Sequence, residues 1–338
     1  MRRLSLILSD LYLPSEVLPS ITGLDLPNLD WLLRFAGRVD RIDDWRSWLS
    51  ADLGRADLAR MTIAQVCAQR SLPDVMAGNA WLATPVHLEA RIDHVRLADR
   101  GLLRLSADER HSWRQEFTRA FGPEYALHDA GDRAFLLSGV SATRMASVDP
   151  ARLLDADIGR ALPSPSAGEL RRLGAEIEMW LHGAPGNTAR EQRRERRISA
   201  LWLWGGGLSG ASETLPVSAN TVPLAEPRFF GGDAFLSALA GSPVTPPPVS
   251  FAAIKAGESR CVVELSPMSG PKDESLAALD SSWFGPAREA LGKGDLESVD
   301  LIANDRWFRI AARPGWRIWR RRSSWLDQLA RQLPEAKA

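Results

Sequence analysis

The stretch from Glu176 to Gly207, EIEMWLHGAPGNTAREQRRERRISALWLWGGG, is the most distinctive in the chain. It reads as helix, polar turn, basic segment, apolar strand and glycine-rich turn. Arg190, Arg193, Arg194, Arg196 and Arg197 outweigh Glu191 and Glu195. A turn such as Gly205-Gly206-Gly207 lets backbone N–H groups approach a ligand closely, and guanidinium groups beside it suit phosphate or carboxylate. The plainer reading is a solvated arginine face followed by a tight turn. No GxxxxGK[ST] is present, so the segment is not a P-loop.

Other residues could also do chemistry. Asp10 comes just after the apolar run Leu4–Leu8, and ligand-contacting residues commonly sit just past such strands; it could equally cap the next element of the chain. The five histidines are His87, His94, His111, His128 and His182. His87 sits in a strand-like stretch, pointing away from the apolar set, as a ligand or as an exposed side chain. His182 with Glu176 or Glu178 lacks the spacing of an HExxH zinc site, and those two glutamates lie on different helix faces. Cys67 has an apolar, helix-like setting that suits packing better than reactivity.

The elements that must position these residues alternate. Leu4–Leu8 reads as a central strand, and Asn28 as the cap of a helix carrying Leu29, Leu32 and Leu33. Trp45 and Trp48 fall on helical spacing and fill core. From Trp81 to Leu97 apolar residues alternate, giving a half-buried strand. Ser106 opens a helix to Phe121, and Leu170, Leu173, Ile177, Trp180 and Leu181 form one face of another. Residues 163–167 read as a loop, and Ser242–Ser250, with four prolines, as a rigid linker. Cys261–Leu265 and Val299–Ala303 read as strands, 275–291 as helical, and Arg313–Trp316 as a hairpin turn. A last helix begins at Ser324. Alternating strands and helices give an α/β architecture.

Composition bounds the function. The chain has 338 residues, 42 basic and 42 acidic, so a generally basic nucleic-acid coat is excluded. Two cysteines, Cys67 and Cys261, exclude a four-cysteine zinc site. No stretch approaches the ~20 apolar residues of a membrane span, and the N-terminal apolar run is too short for a signal peptide. A soluble cytoplasmic protein is expected. Arginine outnumbers lysine 38 to 4, which reflects genome composition more than phosphate binding.

The basic segment resembles that of archaeal-type cofactor-independent phosphoglycerate mutases, which reads N-x-x-R, a spacer, then N-x-I-W-L-W-G-x-G. Asn187 and Arg190 match the first pair, and Leu201–Gly207 the second. The strand ending in Asp10, then Leu26-Pro27-Asn28-Leu29-Asp30, matches the start of that family. The chain is also similar to a bacterial group of RpfE-type regulatory proteins, through Thr84-Pro85-Val86-His87-Leu88 and Trp202-Leu203-Trp204-Gly205. The resemblance implies an alkaline-phosphatase-like mixed sheet flanked by helices, with an inserted α/β region. Residues 1–80 and 250–338 would form the core domain, and 81–249 the insert carrying the Asn187–Gly207 motif. It also implies an anion-binding set of Asn187, Arg190, Arg197, Trp204, Gly205 and Gly206.

Active mutases of that family hold two metal ions on Asp and His residues and use a Ser nucleophile. Here no histidine follows His182. The nearest equivalent of the family's late Asp-His pair is Asn304-Asp305, followed by Arg306, and a guanidinium cannot coordinate metal. Neither Ser47 nor Ser50 is followed by Asp. The expected function is therefore a catalytically degenerate, phosphoglycerate-mutase-like protein, regulatory or anion-sensing, with no cofactor. Its partner would be a small phosphorylated or carboxylate ligand, or a protein. Two alternatives stand beside it. One is a Mn- or Zn-dependent phosphomutase or phosphatase with rearranged ligands, Asp10 and His87 foremost, with Asp30 and His94. The other binds nucleic acid or a membrane surface through the Arg/Trp-rich C-terminal region with Trp307, Trp316 and Trp319. The plainer reading there is tryptophans facing the core, which leaves nucleic acid a poor fit.

Overall fold

The structure, a computed structural model, describes residues 3–13, 23–55, 57–58, 61–69, 72, 79–141, 148–162, 168–207, 227–254, 258–313 and 323–330. In chain order the elements run β1 (Arg3–Leu8), α1 (Pro27–Phe35), β2 (Arg38–Arg41), α2 (Trp45–Asp52), α3 (Ile63–Ala68), β3 (Trp81–Ala90), β4 (Val95–Leu102) and α4 (Ala107–Phe121). Next come β5 (Ala126–Asp129), β6 (Phe135–Ser138), α5 (Gly168–Gly183), α6 (Pro185–Gln192) and β7 (Ala200–Trp204). The last part holds β8 (Arg228–Phe230), α7 (Ala234–Leu239), β9 (Arg260–Leu265), α8 (Leu276–Leu279), α9 (Gly285–Lys293), β10 (Ser298–Ala303), β11 (Arg306–Ala311) and α10 (Trp325–Ala330).

Two compact units result, 1–49 with 219–231 and 244–338, and 50–218 with 232–243. The sequence suggested boundaries at 80/81 and 249/250 instead. The difference has local causes. Helix α3 packs on β3, β6 and α7, which draws the residues after 49 into the second unit. Strand β8 pairs in parallel with β9, and Phe230 bridges to Thr245, which draws the proline-rich segment into the first.

The first unit is built on a six-stranded sheet of order β2-β11-β10-β1-β9-β8. Strands β10, β1, β9 and β8 are parallel, and β11 pairs antiparallel with both β10 and β2. As the unbroken apolar run predicted, β1 is central, with β9 and β10 on its flanks. Leu4, Leu6 and Leu8 join Cys261, Val263, Leu265, Val299 and Leu301 on one face, packed under Leu29, Leu32, Leu33, Trp283, Phe284 and Leu291. The alternate positions are equally buried and mixed, with polar Ser5, Glu264 and Asp300 among apolar Ile7, Val262 and Ile302.

Two local expectations change. Asn28 lies inside α1 and does not cap it; Asp280 accepts from the Leu29 and Asn28 amides at 2.8 and 3.3 Å. That carboxylate, distant in sequence, satisfies the orphan donors of the first turn. The 275–291 helix is interrupted by a π-helical turn, Asp280–Phe284, which aims Asp280 at α1.

The second unit holds five antiparallel strands. β3 pairs β6 along its first half, β4 along its second, and β7 on Leu82–Val86. Its first six residues are all buried, so the strand is more central than the half-buried one expected. Helix α4 begins in a capping box, Ser106 with Glu109, as its sequence predicted. Helix α5 buries Leu170, Leu173, Ile177 and Leu181. The architecture is mixed α/β, with sheets flanked by helices, and no described helix is long and apolar enough to cross a membrane. The 163–167 loop and the 313–316 hairpin, with Trp316 and Trp319, lie largely or wholly outside the described residues.

Candidate functional site

Open sheets with parallel strands take ligands past the strands' carboxyl ends. In the first unit three such ends lie side by side: Ser9-Asp10 after β1, Ser266 after β9 and Asn304-Asp305 after β10. Asp10 is 3% exposed. Its Oδ1 accepts from the Met268 amide at 3.2 Å, and its Oδ2 from the Ser269 amide at 2.8 Å and hydroxyl at 2.5 Å. Glu264 is fully buried, and one of its oxygens accepts from the hydroxyls of both Ser9 and Ser266.

Asn304 tightens the third end. Its Oδ1 accepts from the Leu13 amide at 3.0 Å, and its Nδ2 donates to the Leu329 carbonyl at 2.8 Å. Asn304 and Asp305 take φ of 48° and 56°, which makes the turn from β10 into β11. Asn and Asp tolerate that left-handed region better than other side chains.

A transition-metal site was the alternative expectation, with Asp10 as a ligand. Mn and Zn sites draw on His, Cys and carboxylates converging on one point. All five histidines fall within 50–218, so the first unit has none. No group of three or more His, Cys, Asp or Glu among the described residues could hold a metal. The donor set at this edge has no histidine, and Asp10 and Glu264 are collared by a turn and by two serines, so it does not fit Mn or Zn.

The basic segment of the second unit is organised inward. Asn187 is 1% exposed; its Nδ2 donates to the carbonyls of Leu181 and Ile198 at 2.8 and 2.9 Å, and its Oδ1 accepts from Ile198 N at 2.8 Å. It thus ties the end of α5 to the approach to β7. Buried Arg190 donates to the Arg196 carbonyl at 2.7 Å and to Glu109 at 2.6 Å. Arg197 donates to the His182 carbonyl and pairs with Glu191. Trp204 Nε1 donates to Thr84 Oγ1 at 2.9 Å.

The glycines serve the same packing. Gly205 has φ of 66°, and its carbonyl accepts from Ala64 N in α3. A Cβ on Gly206 would lie 2.4 Å from the Ala80 carbonyl and 2.6 Å from the Trp81 ring, so only glycine fits there. Arg193 and Arg194 are exposed, and Arg193 pairs with Glu109 and Glu195.

The remaining candidates are dispersed. The His87 ring donates from Nδ1 to the Arg197 carbonyl at 2.9 Å. His94 meets Asp93 at the tip of the β3–β4 hairpin. Ser47 is exposed and Ser50 buried, both in α2. Asp30 is held above its usual range, chiefly by burial and also by Asp25, Asp280 and Asp327. Burial also pushes the Cys261 thiol up to about 11. Trp307 is buried against Trp48 and donates to Asp300, so this tryptophan of the C-terminal region faces core.

Glu264, Ser9, Ser266 and Ser269 were not singled out from sequence. One signal was present: a carboxylate inside the otherwise apolar run Cys261-Val262-Val263-Glu264-Leu265.

No protein-family model matches the chain, and no curated protein matches it. Among solved structures it is similar to the cofactor-independent phosphoglycerate mutase from Thermoplasma acidophilum DSM 1728, at 15% identity and a TM-score of 0.36. That likeness covers 92% of this chain and 89% of the other. It is also similar to the PH0037 protein from Pyrococcus horikoshii, at 12% identity and a TM-score of 0.40, over 92% and 87% of the two chains.

Proposed function

We propose that the chain is a phosphoglycerate-mutase-like protein whose catalytic set has eroded and which acts as a regulatory protein responding to an anionic ligand. The observation that carries the reading is the state of Asp10. Where the resembling mutases would use a metal-binding carboxylate, both oxygens here accept from the 268–269 turn. Two-metal phosphoryl transfer needs ions on both entering and leaving oxygens, and a Ser hydroxyl without metal or base is a poor nucleophile. The ligand would be a small phosphorylated or carboxylate compound. Arg193 and Arg194 are the most exposed cations of the basic segment, Arg193 with Glu109 and Glu195 beside it.

The test is elemental analysis of protein purified without chelator, with 3-phosphoglycerate and an aryl phosphate offered as substrates in added Mn or Zn. The expected result is no stoichiometric metal and no turnover above background. 3-Phosphoglycerate would bind in a salt-sensitive manner, and Arg193→Ala with Arg194→Ala would weaken it. Chelator-sensitive turnover at enzyme-like rates would overturn the reading.

A further inference from the structure

The second unit contains an apolar cleft that the anion-responsive role does not use. It lies between α5, β7 and the 148–162 segment, with a volume of about 60 Å³. Leu88, Ile158, Leu162, Ala200 and Trp202 contribute to its walls. The Trp202 indole N–H is already satisfied by the Val148 carbonyl at 2.9 Å, so the ring presents hydrocarbon.

Three residues of α5, spaced four apart, form one side: Leu170, Gly174 and Glu178. That spacing puts them in a single stripe. Gly174 is in the middle of the sixteen-residue helix, where glycine costs about 0.5–1 kcal/mol against alanine. Packing does not demand it, because a Cβ there would meet nothing within 4 Å. The missing side chain keeps the cleft open.

Glu178 stands at the solvent edge of this stripe. It is the one charged lining residue, and it has no ion-pair or hydrogen-bond partner among the described residues. Desolvation alone pushes its carboxyl above the ordinary range. The Glu178 carboxylate, exposed at the rim of these apolar walls, has no cation beside it as a complement among the described residues. A ligand that brings both a hydrocarbon body and a cationic head would supply it.

We infer that the cleft bounded by Leu170, Gly174, Glu178 and Trp202 binds a small lipophilic amine, its chain against the apolar walls and its ammonium on Glu178. This site is independent of the anion-responsive role, since it lies in different residues and takes the opposite charge.

The experiment titrates the full chain with primary alkylamines from butylamine to octylamine, followed by tryptophan fluorescence and calorimetry. The matching alcohols and carboxylates serve as controls. Expected is saturable amine binding, with the alcohol of equal length at least about tenfold weaker and the carboxylate weaker still; tenfold is the order expected of one charge-assisted contact. Glu178→Gln should remove the preference for amine over alcohol while leaving alcohol binding in place. Gly174→Leu, which grows into open space, should abolish binding of both while the protein stays folded by circular dichroism. Equal affinity for amine and alcohol in the unaltered chain would overturn the inference. So would full binding by the Gly174→Leu protein, or no saturable binding across the series.

Discussion

The carboxyl edge of the first unit and the basic segment of the second bury polar groups in opposite ways. At the edge the buried groups are acceptors: Asp10 and Glu264, met by serine hydroxyls and amides. Deeper in the same sheet Asp300, fully buried, is met by Arg3, Arg309 and the Trp307 indole. In the basic segment the buried groups are mainly donors: Asn187, Arg190 and Trp204, spent on carbonyls, Glu109 and a threonine. Each set has the residue types of an active site, yet each is occupied with holding chain segments together. Residue type announces capacity for chemistry, and the partner decides its use.

The largest expected effect is at Asn187. Replacing it with alanine strands the Ile198 amide and two carbonyls in a buried setting, each costing about 1–3 kcal/mol. Urea denaturation of Asn187→Ala should show the second unit destabilised by roughly 3–5 kcal/mol, allowing for partial relaxation. Stability within ~0.5 kcal/mol of the parent, the range of an ordinary surface substitution, would break the comparison and return Asn187 to ligand binding.

Asp10→Ala comes next. It leaves the Met268 and Ser269 amides without their acceptor, and about 2–3 kcal/mol should be lost. Ser269→Ala removes only one hydroxyl donor and should cost about 1 kcal/mol. If Asp10→Ala is neutral in denaturation, the collar around Asp10 is not structural.

Arg190 and Arg193 sharpen the contrast within one segment. Both reach Glu109, but their side chains are 5% and 45% exposed. Arg190→Ala should cost roughly 2–3 kcal/mol, because it removes a buried guanidinium bonded to both the Arg196 carbonyl and Glu109, whereas Arg193→Ala should stay under about 1 kcal/mol. Equal costs would mean that burial does not set the value of these contacts.

How much of the fold and the site was legible in sequence depends on where each signal resides. β1, β9, β10, α4 and α5 were readable because their signals are local: unbroken apolar runs, a capping box, a stripe of period 3.6. The cap of α1 was not, because its carboxylate arrives from Asp280 on another helix. Neither was the collar of Asp10, since Ser269 carries no mark that distinguishes it from other serines. Asn187, Arg190 and Trp204 were found, but as candidate ligands for an anion. Their inward partners are mostly backbone carbonyls, and every residue supplies one, so no pattern announces which will be used.

The smallest effect concerns a half-buried polar group that resists charge. His128 in β5 shares a 2.9 Å hydrogen bond with the buried Ser138 hydroxyl. Burial holds its pKa below the ordinary 6.5, and the Arg114 guanidinium lowers it further. The unfolded chain therefore takes up a proton near pH 6.5 while the folded one resists until lower pH. Stability from this group is fully present above that value and is lost as pH falls through the window beneath it. His128→Gln, which can keep a hydrogen bond to Ser138 but cannot titrate, should flatten the stability profile across the window and match the parent's slope above it. Urea midpoints measured at closely spaced pH values would show this. Identical slopes in both proteins would mean that the folded state accepts charge at His128 as readily as water does, and that this part of the second unit is less closed to charge than the Asp300 cluster of the first.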